Sequence, residues 1–458
     1  MPDTPRPETL REWDRKDLWH PFTPHAVYEK EHPLLIDRGE GNYLIDVDGN
    51  RYLDGVSSLW CNLLGHHRPE IDNAIRSQLD KIAHSTLLGN SNAVAVELAH
   101  RLVSLAPEGL TRVFFSDNGS TSVEVALKMA FQFWQQVDGG AEKRRTRFVA
   151  LANAYHGDTL GSVSVGGIDL FHEKFRPMLF DVLRGPSPYC YRCPLEKDPA
   201  SCAQECLQSL LELIHNNADE LAGVVLEPGF QGAGGIIAYP KGYLRKVREA
   251  THDAGTFLVL DEVAAGMGRG GTLFACEQEK VVPDFLCIAK GLTGGYLPLA
   301  ATLTTERVFE AFLAPPEDGF TFFHGHTYTG NALGAAAALA TLDILDREEI
   351  LSKVKEKIQF LGDEVGRLWN LPGVGDIRQW GMAAGVELVA DKQTKEPFPA
   401  SERRGMRVCT AAKSRGVFLR PLGDVVVVMP PLTITQDEIR ILVDAVEYGV
   451  ATEVAEAK

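Results

Sequence analysis

The chain has 458 residues, of which 45% are hydrophobic and 24% are charged, and its formal net charge is −16. This length is sufficient for a large core and more than one globular unit, and the acidic balance argues against nucleic acid or an anionic membrane as a partner. The N-terminal segment MPDTPRPETLREWDRKD is polar, and no stretch approaches the roughly 18 apolar residues of a membrane span, so we expect a cytoplasmic protein.

The first predicted element is a hairpin near the N-terminus. The segment NYLIDVDGNRYLDG, residues 42–55, places two short strands on either side of Asp48 and Gly49. An Asp-Gly pair between such strands is a strong signal for a tight turn.

From about residue 92 the pattern changes to short apolar runs that alternate with amphipathic segments. The runs are RVFFS, RFVALA, AGVVLEP, TFLVLDEV, DFLCIA and LPLAATL, and the amphipathic segments include TSVEVALKMAFQFWQQV and CLQSLLELIHNNADEL. This alternation predicts an α/β fold with a mostly parallel sheet that is covered by helices on both faces. After about residue 342, helical stretches and the separated strands GMAAGVELV and VVVVMPP indicate a second, smaller unit.

Polar or aromatic side chains follow five of the apolar runs. The groups are Ser116 to Ser120, Asn153 to Gly157, Glu227 with Pro228, Asp261 with Glu262, and Lys290. Because ligands of open α/β sheets bind at the carboxyl ends of the strands, we expect these groups to face one site.

Lys290 ends the apolar run DFLCIA, although lysine rarely enters an interior without a partner. Partial burial lowers the pKa of a lysine and favours the neutral amine that forms a Schiff base with pyridoxal phosphate. That cofactor also needs a carboxylate for its ring nitrogen, a phosphate cup and walls for its ring faces. Asp261 is our candidate for the carboxylate, and Tyr155 and Val263 are candidates for the walls.

The candidate phosphate cup is Asn118-Gly119-Ser120, which follows a strand and precedes a helix. We expect that helix to open with a capping box over Thr121, Ser122, Val123 and Glu124. Backbone amides at a helix N-terminus bind phosphate well.

Each candidate also has a plain structural interpretation, as a solvated lysine, a helix cap, a core aromatic or a turn. The functional hypothesis depends on their occurrence together at successive strand ends. A non-enzymatic scaffold on the same fold would predict the loss of Lys290 or Asp261, and both are present.

A dinucleotide-binding enzyme is the alternative from another cofactor class. The segment GMGRGG, Gly266 to Gly271, matches the pattern G-x-G-x-x-G. The residues DEVAA separate it from the preceding strand, however, and no helix with apolar periodicity follows.

Four cysteines lie together in YCYRCPLEKDPASCAQEC. Cys190, Cys193, Cys202 and Cys206 have the spacing C-x2-C-x8-C-x3-C, whose central spacer is shorter than that of common zinc modules. A structural metal site or redox-sensitive clip and a set of unlinked cytosolic thiols are both open interpretations.

The segments LVLDEVAAGMGRGG, CIAKGLTGGYLPLAAT and HGHTYTGNALGAAAAL resemble the signature of the class III, fold-type I pyridoxal-phosphate aminotransferases, and the resemblance extends from about residue 17 to the C-terminus. It implies a mostly parallel seven-stranded sheet in a large domain, residues 58–341. It also implies a smaller α+β domain built from both termini, residues 1–57 and 342–458. The expected assembly is a homodimer whose active sites are shared across the interface.

The resemblance implies catalytic roles for Lys290, Asp261 and Tyr155, with Lys290 forming the Schiff base and moving the proton. The cofactor-binding residues that it implies are Gly119, Ser120, Tyr155, His156, Glu227, Asp261, Val263, Lys290 and, from the neighbouring subunit, Thr327. The substrate-binding residues that it implies are Phe22, Trp60, Tyr155, Arg269, Gly325 and Arg420. The guanidinium of Arg420 suits a substrate carboxylate, although a structural acid is an alternative partner. Phe22 and Trp60 can alternatively be aromatics of a dimer core.

Within the class, LWHPFT, DGVSSLWCNLLGH, AYHGDTLGSVSVGG and LRPLGDVVVVMPPLTIT are most similar to the branch that serves biotin synthesis. This resemblance implies a ping-pong transamination that converts 7-keto-8-aminopelargonate to 7,8-diaminopelargonate, with S-adenosylmethionine as the amino donor. Lysine as the donor and a general ω-amino acid or amine:pyruvate aminotransferase are the alternatives.

Overall fold

The computed structural model describes residues 5–31 and 33–454. Within these ranges the strands are β1 (Ile36–Glu40), β2 (Tyr43–Asp46), β3 (Arg51–Asp54), β4 (Leu110–Ser116), β5 (Arg147–Leu151), β6 (Val182–Gly185), β7 (Leu221–Leu226), β8 (Phe230–Gln231), β9 (Ile237–Ala238), β10 (Phe257–Asp261), β11 (Phe285–Ile288), β12 (Ala300–Thr305), β13 (Val374–Trp380), β14 (Ala383–Leu388), β15 (Val417–Phe418), β16 (Arg420–Leu422) and β17 (Val425–Val428).

The helical segments of the same ranges are α1 (Pro7–Asp17), α2 (His25–Tyr28), α3 (Ser57–Trp60), α4 (Pro69–Leu79), α5 (Ala93–Leu105), α6 (Gly119–Gln136), α7 (Leu160–Val165), α8 (Asp169–His172), α9 (Glu205–Asn216), α10 (Tyr243–Asp253), α11 (Glu306–Glu310), α12 (Ala332–Arg347), α13 (Ile350–Gly366), α14 (Arg404–Ser414) and α15 (Gln436–Glu453). Within the described residues, no helix is long and apolar enough to span a bilayer.

Seven strands form the main sheet, in the order β4-β12-β11-β10-β7-β5-β6. The strands from β11 to β6 are parallel to one another, whereas β12 is antiparallel to both β11 and β4. The predicted α/β class with a mostly parallel seven-stranded sheet is therefore confirmed. Each of the six apolar runs contributes a strand to this sheet. Strand β6 was not predicted, because its short segment VLRG carries an arginine and forms no apolar run.

Helices cover both faces of the main sheet, since successive side chains of a strand point to opposite faces. On one face, Phe257 and Val259 of β10 pack with Phe133 of α6, and the ring centroids of Phe133 and Phe257 are 4.8 Å apart. On the other face, Leu258 and Leu260 belong to the core that includes apolar side chains of α9 and α10. Every residue of β10 is buried, and its only polar residue is Asp261, at the carboxyl end of the strand.

The predicted N-terminal hairpin is confirmed by the antiparallel pair β2 and β3. Gly49 in its turn has a φ of +85°, a conformation that glycine adopts without a steric penalty. The side chain of Asp46 accepts hydrogen bonds from the amides of Asp48 and Asn50, at 3.0 and 2.8 Å, and closes the turn.

Both ends of the chain contribute to the smaller sheets. Strand β15 joins the N-terminal strands in the order β1-β2-β3-β15 and pairs in parallel with β3. The C-terminal strands form a second sheet in the order β13-β14-β17-β16. The smaller α+β part is thus built from both termini, as expected. Helix α12 runs through the predicted boundary at residues 341 and 342, and the exact domain limits stay a prediction.

Candidate active site

A cavity of about 680 Å³ lies at the carboxyl ends of the main-sheet strands. The predicted site residues that line it are Trp60, Gly119, Ser120, Tyr155, His156, Glu227, Asp261, Val263 and Lys290. Each of the five groups that follow the apolar runs in the sequence therefore contributes at least one residue to this cavity. The fold explains this result, because parallel strands carry their carboxyl ends to the same edge of a sheet.

Lys290 begins a 3-10 turn directly after β11. Burial lowers the pKa of its ammonium group, and the nearby Asp261 and Glu227 carboxylates oppose that shift. Within the described residues the amine has no hydrogen bond or salt bridge, and it lies 5.4 Å from the ring centroid of Trp60. The backbone φ of Lys290 is +41°, in the left-handed region. The lysine is thus held as an unpaired amine whose neutral form is favoured by burial.

Asp261 ends β10 and is 4% exposed. Its Oδ2 lies 2.8 Å from Nδ1 of His156, and its Oδ1 accepts a hydrogen bond from the amide of Val263 at 3.0 Å. His156 is also buried, and its Nε2 has no protein partner. A carboxylate has about four lone-pair positions, so both oxygens keep capacity for a further donor. A protonated pyridine nitrogen is a suitable donor for such a buried carboxylate.

The N-terminus of α6 forms a cradle beside these residues. Asn118 is the N-cap, since its side chain accepts a hydrogen bond from the amide of Thr121 at 3.0 Å and Thr121 Oγ1 accepts one from the amide of Asn118. The predicted capping box from Thr121 to Glu124 is therefore wrong, and the helix begins at Gly119. Glu124 instead accepts a hydrogen bond from the amide of Gly161.

The cradle is narrow at Gly119 and Ser120. A Cβ on Gly119 would lie 2.5 Å from Cγ1 of Val263, so no larger residue fits without a shift. Ser120 Oγ lies 2.8 Å from Oγ1 of Thr159 and accepts a hydrogen bond from the amide of that residue. The capping box uses the amides of Asn118 and Thr121, whereas those of Gly119 and Ser120 have no intrahelical acceptor, and both of these residues line the cavity.

Tyr155 connects the cavity wall to two acids. Its hydroxyl donates to Oδ2 of Asp158 at 2.7 Å, and its amide donates to Oε1 of Glu227 at 3.1 Å. Glu227 also accepts a hydrogen bond from the amide of Gly232 at 2.8 Å. Burial raises the pKa of Glu227 to about 7 and also raises that of the Tyr155 phenol. Both side chains are therefore fixed donors or acceptors at the edge of the cavity.

Trp60 reaches the cavity from α3, which is a left-handed turn. Its four residues have φ values of 50°, 47°, 74° and 71°. Such a conformation costs roughly 1–2 kcal/mol for each residue that is not glycine. The turn is held by Asp54, whose carboxylate accepts hydrogen bonds from the amide and hydroxyl of Ser58 at 2.9 and 2.8 Å. Nothing in the sequence SSLW indicates this conformation.

Five other predicted residues do not line the cavity. A Cβ added to Gly325 would have no atom within 4 Å, and the carbonyl of Thr327 accepts a hydrogen bond from His84 at 2.9 Å. Phe22 is 55% exposed, with its ring centroid 5.3 Å from that of Phe171. Arg420 is exposed on β16. Their roles stay predictions.

Arg269, the fifth residue, is 1% exposed, and its Nη2 lies 3.4 Å from the carbonyl oxygen of Trp60. Its guanidinium donates to the carbonyl oxygen of Pro430 and to Ser57 Oγ. The segment GMGRGG that contains it forms turns and is followed by further irregular structure, without the helix that a dinucleotide motif requires.

The four clustered cysteines line a separate small cavity beside Tyr189. All four are free thiols, and burial is the main cause that raises the pKa of Cys190 and Cys206. Within the described residues, no group of three or more His, Cys, Asp or Glu side chains has an arrangement that could hold a metal ion. The structure therefore brings the thiols together without metal-ligand geometry.

Sequence reasoning missed three functional candidates of the cavity. Asp158 orients the Tyr155 hydroxyl, Thr159 fixes Ser120, and Cys61 lines the wall next to Trp60. The segment HGDT, residues 156–159, lies in the loop after β5 and was a usable signal for the first two. Cys61 depends on the left-handed turn and had no signal.

Comparison with known proteins agrees with this geometry. The family model "Aminotransferase class-III" matches residues 25–449. The chain is 53% identical over 453 residues to adenosylmethionine-8-amino-7-oxononanoate aminotransferase of Geobacter sulfurreducens, covering 99% of each chain. It is 46% identical over 447 residues to the protein of the same name from Methanocaldococcus jannaschii, covering 95% of this chain and 96% of that one.

Solved structures agree as well. The crystal structure of adenosylmethionine-8-amino-7-oxononanoate aminotransferase from Methanocaldococcus jannaschii superposes with a TM-score of 0.93 at 44% identity, covering 98% of this chain and 99% of that one. A pyridoxal-phosphate-bound amine transaminase from an uncultivated Pseudomonas species superposes with a TM-score of 0.90 at 38% identity, covering 96% and 99%. The chain therefore belongs to the class III aminotransferases, which are pyridoxal-phosphate-dependent enzymes.

Proposed function

We propose that this enzyme transfers an amino group from S-adenosylmethionine to 8-amino-7-oxononanoate (7-keto-8-aminopelargonate) and forms 7,8-diaminopelargonate, a step of biotin synthesis. The observation that carries the chemistry is the meeting of Lys290, Asp261 and the N-terminus of α6 in one cavity. The substrates are supported by the names of relatives that are 46–54% identical over nearly the whole chain.

The residues present fit pyridoxal phosphate. The cavity offers an unpaired lysine, a buried carboxylate with free acceptor capacity and a helix N-terminus at which Gly119 leaves open the space that a Cβ would fill. When bound, the cofactor supplies an electron-withdrawing ring that receives an amino group from one substrate and passes it to the next.

The chain's own residues have separate tasks in this proposal. Lys290 binds the cofactor and, as a partly desolvated amine, takes up and returns a proton at Nζ. Asp261, oriented by His156 and Val263, holds the ring nitrogen in its protonated form. The amides of Gly119 and its neighbours bind the phosphate.

The substrate side of the cavity is formed by aromatic groups. Tyr155 lies at one edge with its hydroxyl fixed by Asp158, and Trp60 lies next to the lysine amine. We propose that these walls exclude water and orient the amino donor and the keto acid. Phe22 and Arg420 complete the binding site in this proposal, with Arg420 holding a carboxylate of the substrate.

We further propose a cytoplasmic homodimer, in which Thr327 reaches the site of the neighbouring subunit. The free state of all eight cysteines supports a reducing compartment. The exposed apolar side chains Leu88, Phe323 and Tyr328, which are 88%, 83% and 61% exposed, support a subunit interface around Thr327. In the same proposal, residues 58–341 form the cofactor-binding domain, and residues 1–57 and 342–458 form the smaller one.

A general ω-transaminase is the second candidate. An (S)-enantioselective ω-transaminase from Thermomicrobium roseum superposes with a TM-score of 0.93 at 33% identity. The residues of the site are compatible with both functions, so the two are distinguished by which substrates the enzyme converts.

A donor screen tests the proposal. The purified enzyme with pyridoxal phosphate is given 8-amino-7-oxononanoate and either S-adenosylmethionine or lysine, and diamine formation is measured by mass spectrometry. We expect product with S-adenosylmethionine. Diamine formation with lysine but not with S-adenosylmethionine would identify lysine as the donor. Turnover only of simple amines with pyruvate would favour the ω-transaminase.

A variant tests the assigned lysine. We expect Lys290→Ala to lose both the long-wavelength absorbance of the bound cofactor and all turnover, because no other amine is available at that position. Lys241→Ala, which removes an exposed lysine, is the matched control and is expected to keep both. Retention of turnover by Lys290→Ala would contradict the proposed function.

A further inference from the structure

Arg269 is a fully buried charge without a counter-ion. Its side chain is 1% exposed, and within the described residues no carboxylate lies within salt-bridge distance of it. Its Nη1 donates to the carbonyl oxygen of Pro430, and its Nη2 lies 3.0 Å from Ser57 Oγ and 3.4 Å from the carbonyl oxygen of Trp60. Its Nε has no partner. Burial of an unpaired guanidinium is unfavourable, so this placement requires a compensating role.

The two ends of the guanidinium bind two distant segments. One end binds Pro430, which follows β17, and the other binds the first and last residues of the left-handed turn α3. Ser57 Oγ also donates to the carbonyl oxygen of Met429 at 2.7 Å, so the turn is fastened twice to the same C-terminal segment. Four successive residues with positive φ persist only where their surroundings enforce them.

The turn determines where the indole of Trp60 lies. The Lys290 amine is 5.4 Å from the ring centroid on one side. On another side, a Cβ on Gly232 would lie 3.1 Å from Cζ3 of the indole. The ring thus has little free space, and a relaxed turn would move it relative to the lysine.

We propose that Arg269 is a positioning residue, which clamps turn α3 to the segment after β17 and thereby fixes Trp60 against Lys290. The clamp also places a positive charge near the lysine. Lys290 is faced by Asp261, Glu227, Cys61 and Arg269, and of these only Arg269 favours the neutral amine. The family resemblance predicted a substrate contact for Arg269, whereas its burial and hydrogen bonds favour this indirect role.

Hydrogen–deuterium exchange of the pyridoxal-free enzyme tests the clamp. In the turn, the amides of Trp60 and Cys61 donate to the carbonyl oxygens of Val56 and Ser57, at 2.8 and 3.0 Å. We expect Arg269→Met to speed exchange in a peptide covering residues 57–62 by roughly tenfold or more, because charged hydrogen bonds are lost. Arg269→Lys should give a smaller increase, since one ammonium does not reach both segments.

Arg145→Met is the matched control. Arg145 is also buried and binds the carbonyl oxygens of Ala218 and Leu221, at 2.7 and 3.4 Å, near the opposite ends of the strands. We expect it to leave exchange at residues 57–62 unchanged. Unchanged exchange there in both Arg269 variants would overturn the clamp. If Arg269→Met does not fold, unchanged exchange at residues 57–62 in Arg269→Lys alone would overturn the clamp.

A pH titration separates positioning from general loss of structure. With pyridoxal phosphate bound, the pH midpoint of the cofactor absorbance should rise by about 0.5 unit or more in Arg269→Met, because a nearby positive charge is removed. It should stay near the original value in Arg269→Lys, which keeps the charge. An equal midpoint in all three proteins would overturn the electrostatic part of the inference.

This inference rests on the proposed function only in assigning Lys290 to the cofactor. The exchange experiment uses no cofactor and no substrate, so its failure would remove the clamp and leave the proposed function intact. Failure of the donor screen would instead leave the clamp intact.

Discussion

The imidazole of His156 lies against the carboxylate of Asp261, with Nδ1 2.8 Å from Oδ2. Both side chains are buried, and the other carboxylate oxygen accepts a hydrogen bond from the amide of Val263. With the proton on Nδ1, the histidine donates to the carboxylate and fixes its plane. Asp261 therefore faces the cavity in one orientation.

We expect Asp261→Asn to lower kcat by about 100-fold or more, because an amide does not stabilise a protonated ring nitrogen. Steady-state kinetics and the absorbance spectrum of the bound cofactor measure the effect. Asp284→Asn is the control, since Asp284 is also buried but receives its hydrogen bonds from Arg248 and the amide of Leu258. It should reduce stability without changing the spectrum. Near-normal kcat in Asp261→Asn would contradict the assigned role.

Gly119→Ala should weaken binding of pyridoxal phosphate. The added Cβ would lie 2.5 Å from Val263 Cγ1, so the cradle must open or the helix must shift. We expect the dissociation constant of the cofactor, measured by absorbance titration, to rise by roughly tenfold or more. Gly366→Ala, where no atom lies within 4 Å of the new Cβ, should bind the cofactor normally. Equal affinities of the two variants would argue against a narrow cradle.

Tyr155→Phe removes the hydrogen bond from the phenol to Asp158, which is 2.7 Å long. Because that bond is charge-assisted, we expect kcat/KM for the amino donor to fall roughly 10- to 100-fold. Tyr239→Phe is the matched control, since the buried Tyr239 hydroxyl has no hydrogen-bond partner in the described residues. Similar kinetics of the two variants would show that the phenol has no part in donor binding.

Glu227 should make the stability of the pyridoxal-free enzyme depend on pH. Burial raises its pKa from 4.5 to about 7, so between these values the folded protein binds more protons than the unfolded chain. The stabilising contribution is present in full below about pH 4.5 and is lost as the pH rises through 7. It amounts to on the order of 3 kcal/mol.

Glu227→Gln removes this titration. Urea unfolding at pH 5 and pH 7.5 should show that the wild-type enzyme loses more stability between the two values than the variant does. Glu212→Gln, which changes an exposed carboxylate, should behave like the wild type. An equal loss of unfolding free energy between pH 5 and pH 7.5 in Glu227→Gln and wild type would place the pKa of Glu227 in its ordinary range.

The sheet and the centre of the site were predictable from sequence because buried strands are apolar throughout. A polar residue such as Asp261 or Lys290 at the end of such a run has few structural explanations. Because ligands of open α/β sheets bind at the carboxyl ends of the strands, these residues were expected to lie together. The capping box was predicted at the wrong residue because two overlapping patterns compete at the same helix start. Asn118 is the N-cap of α6, and the carboxylate of Glu124 instead accepts a hydrogen bond from the amide of Gly161.

Other parts of the site depend on contacts between distant segments. The residues of α3 are not of the types that favour positive φ, and their conformation depends on Asp54, Met429 and Arg269. Arg269 lies in a glycine-rich segment typical of an exposed loop, yet it turns inward to bind Pro430. Neither feature has a local signal, because the partners lie far away in the sequence.

The pairing of β3 with β15 has a consequence for synthesis of the protein. Leu53 lies opposite Val417, so the N-terminal strands cannot complete their sheet until the ribosome has added most of the chain. At about 5–20 residues per second this interval lasts roughly 20 to 70 seconds. During that time the edge of β3 that later pairs with β15 has no partner strand, and an unpaired edge of this kind promotes pairing with other chains.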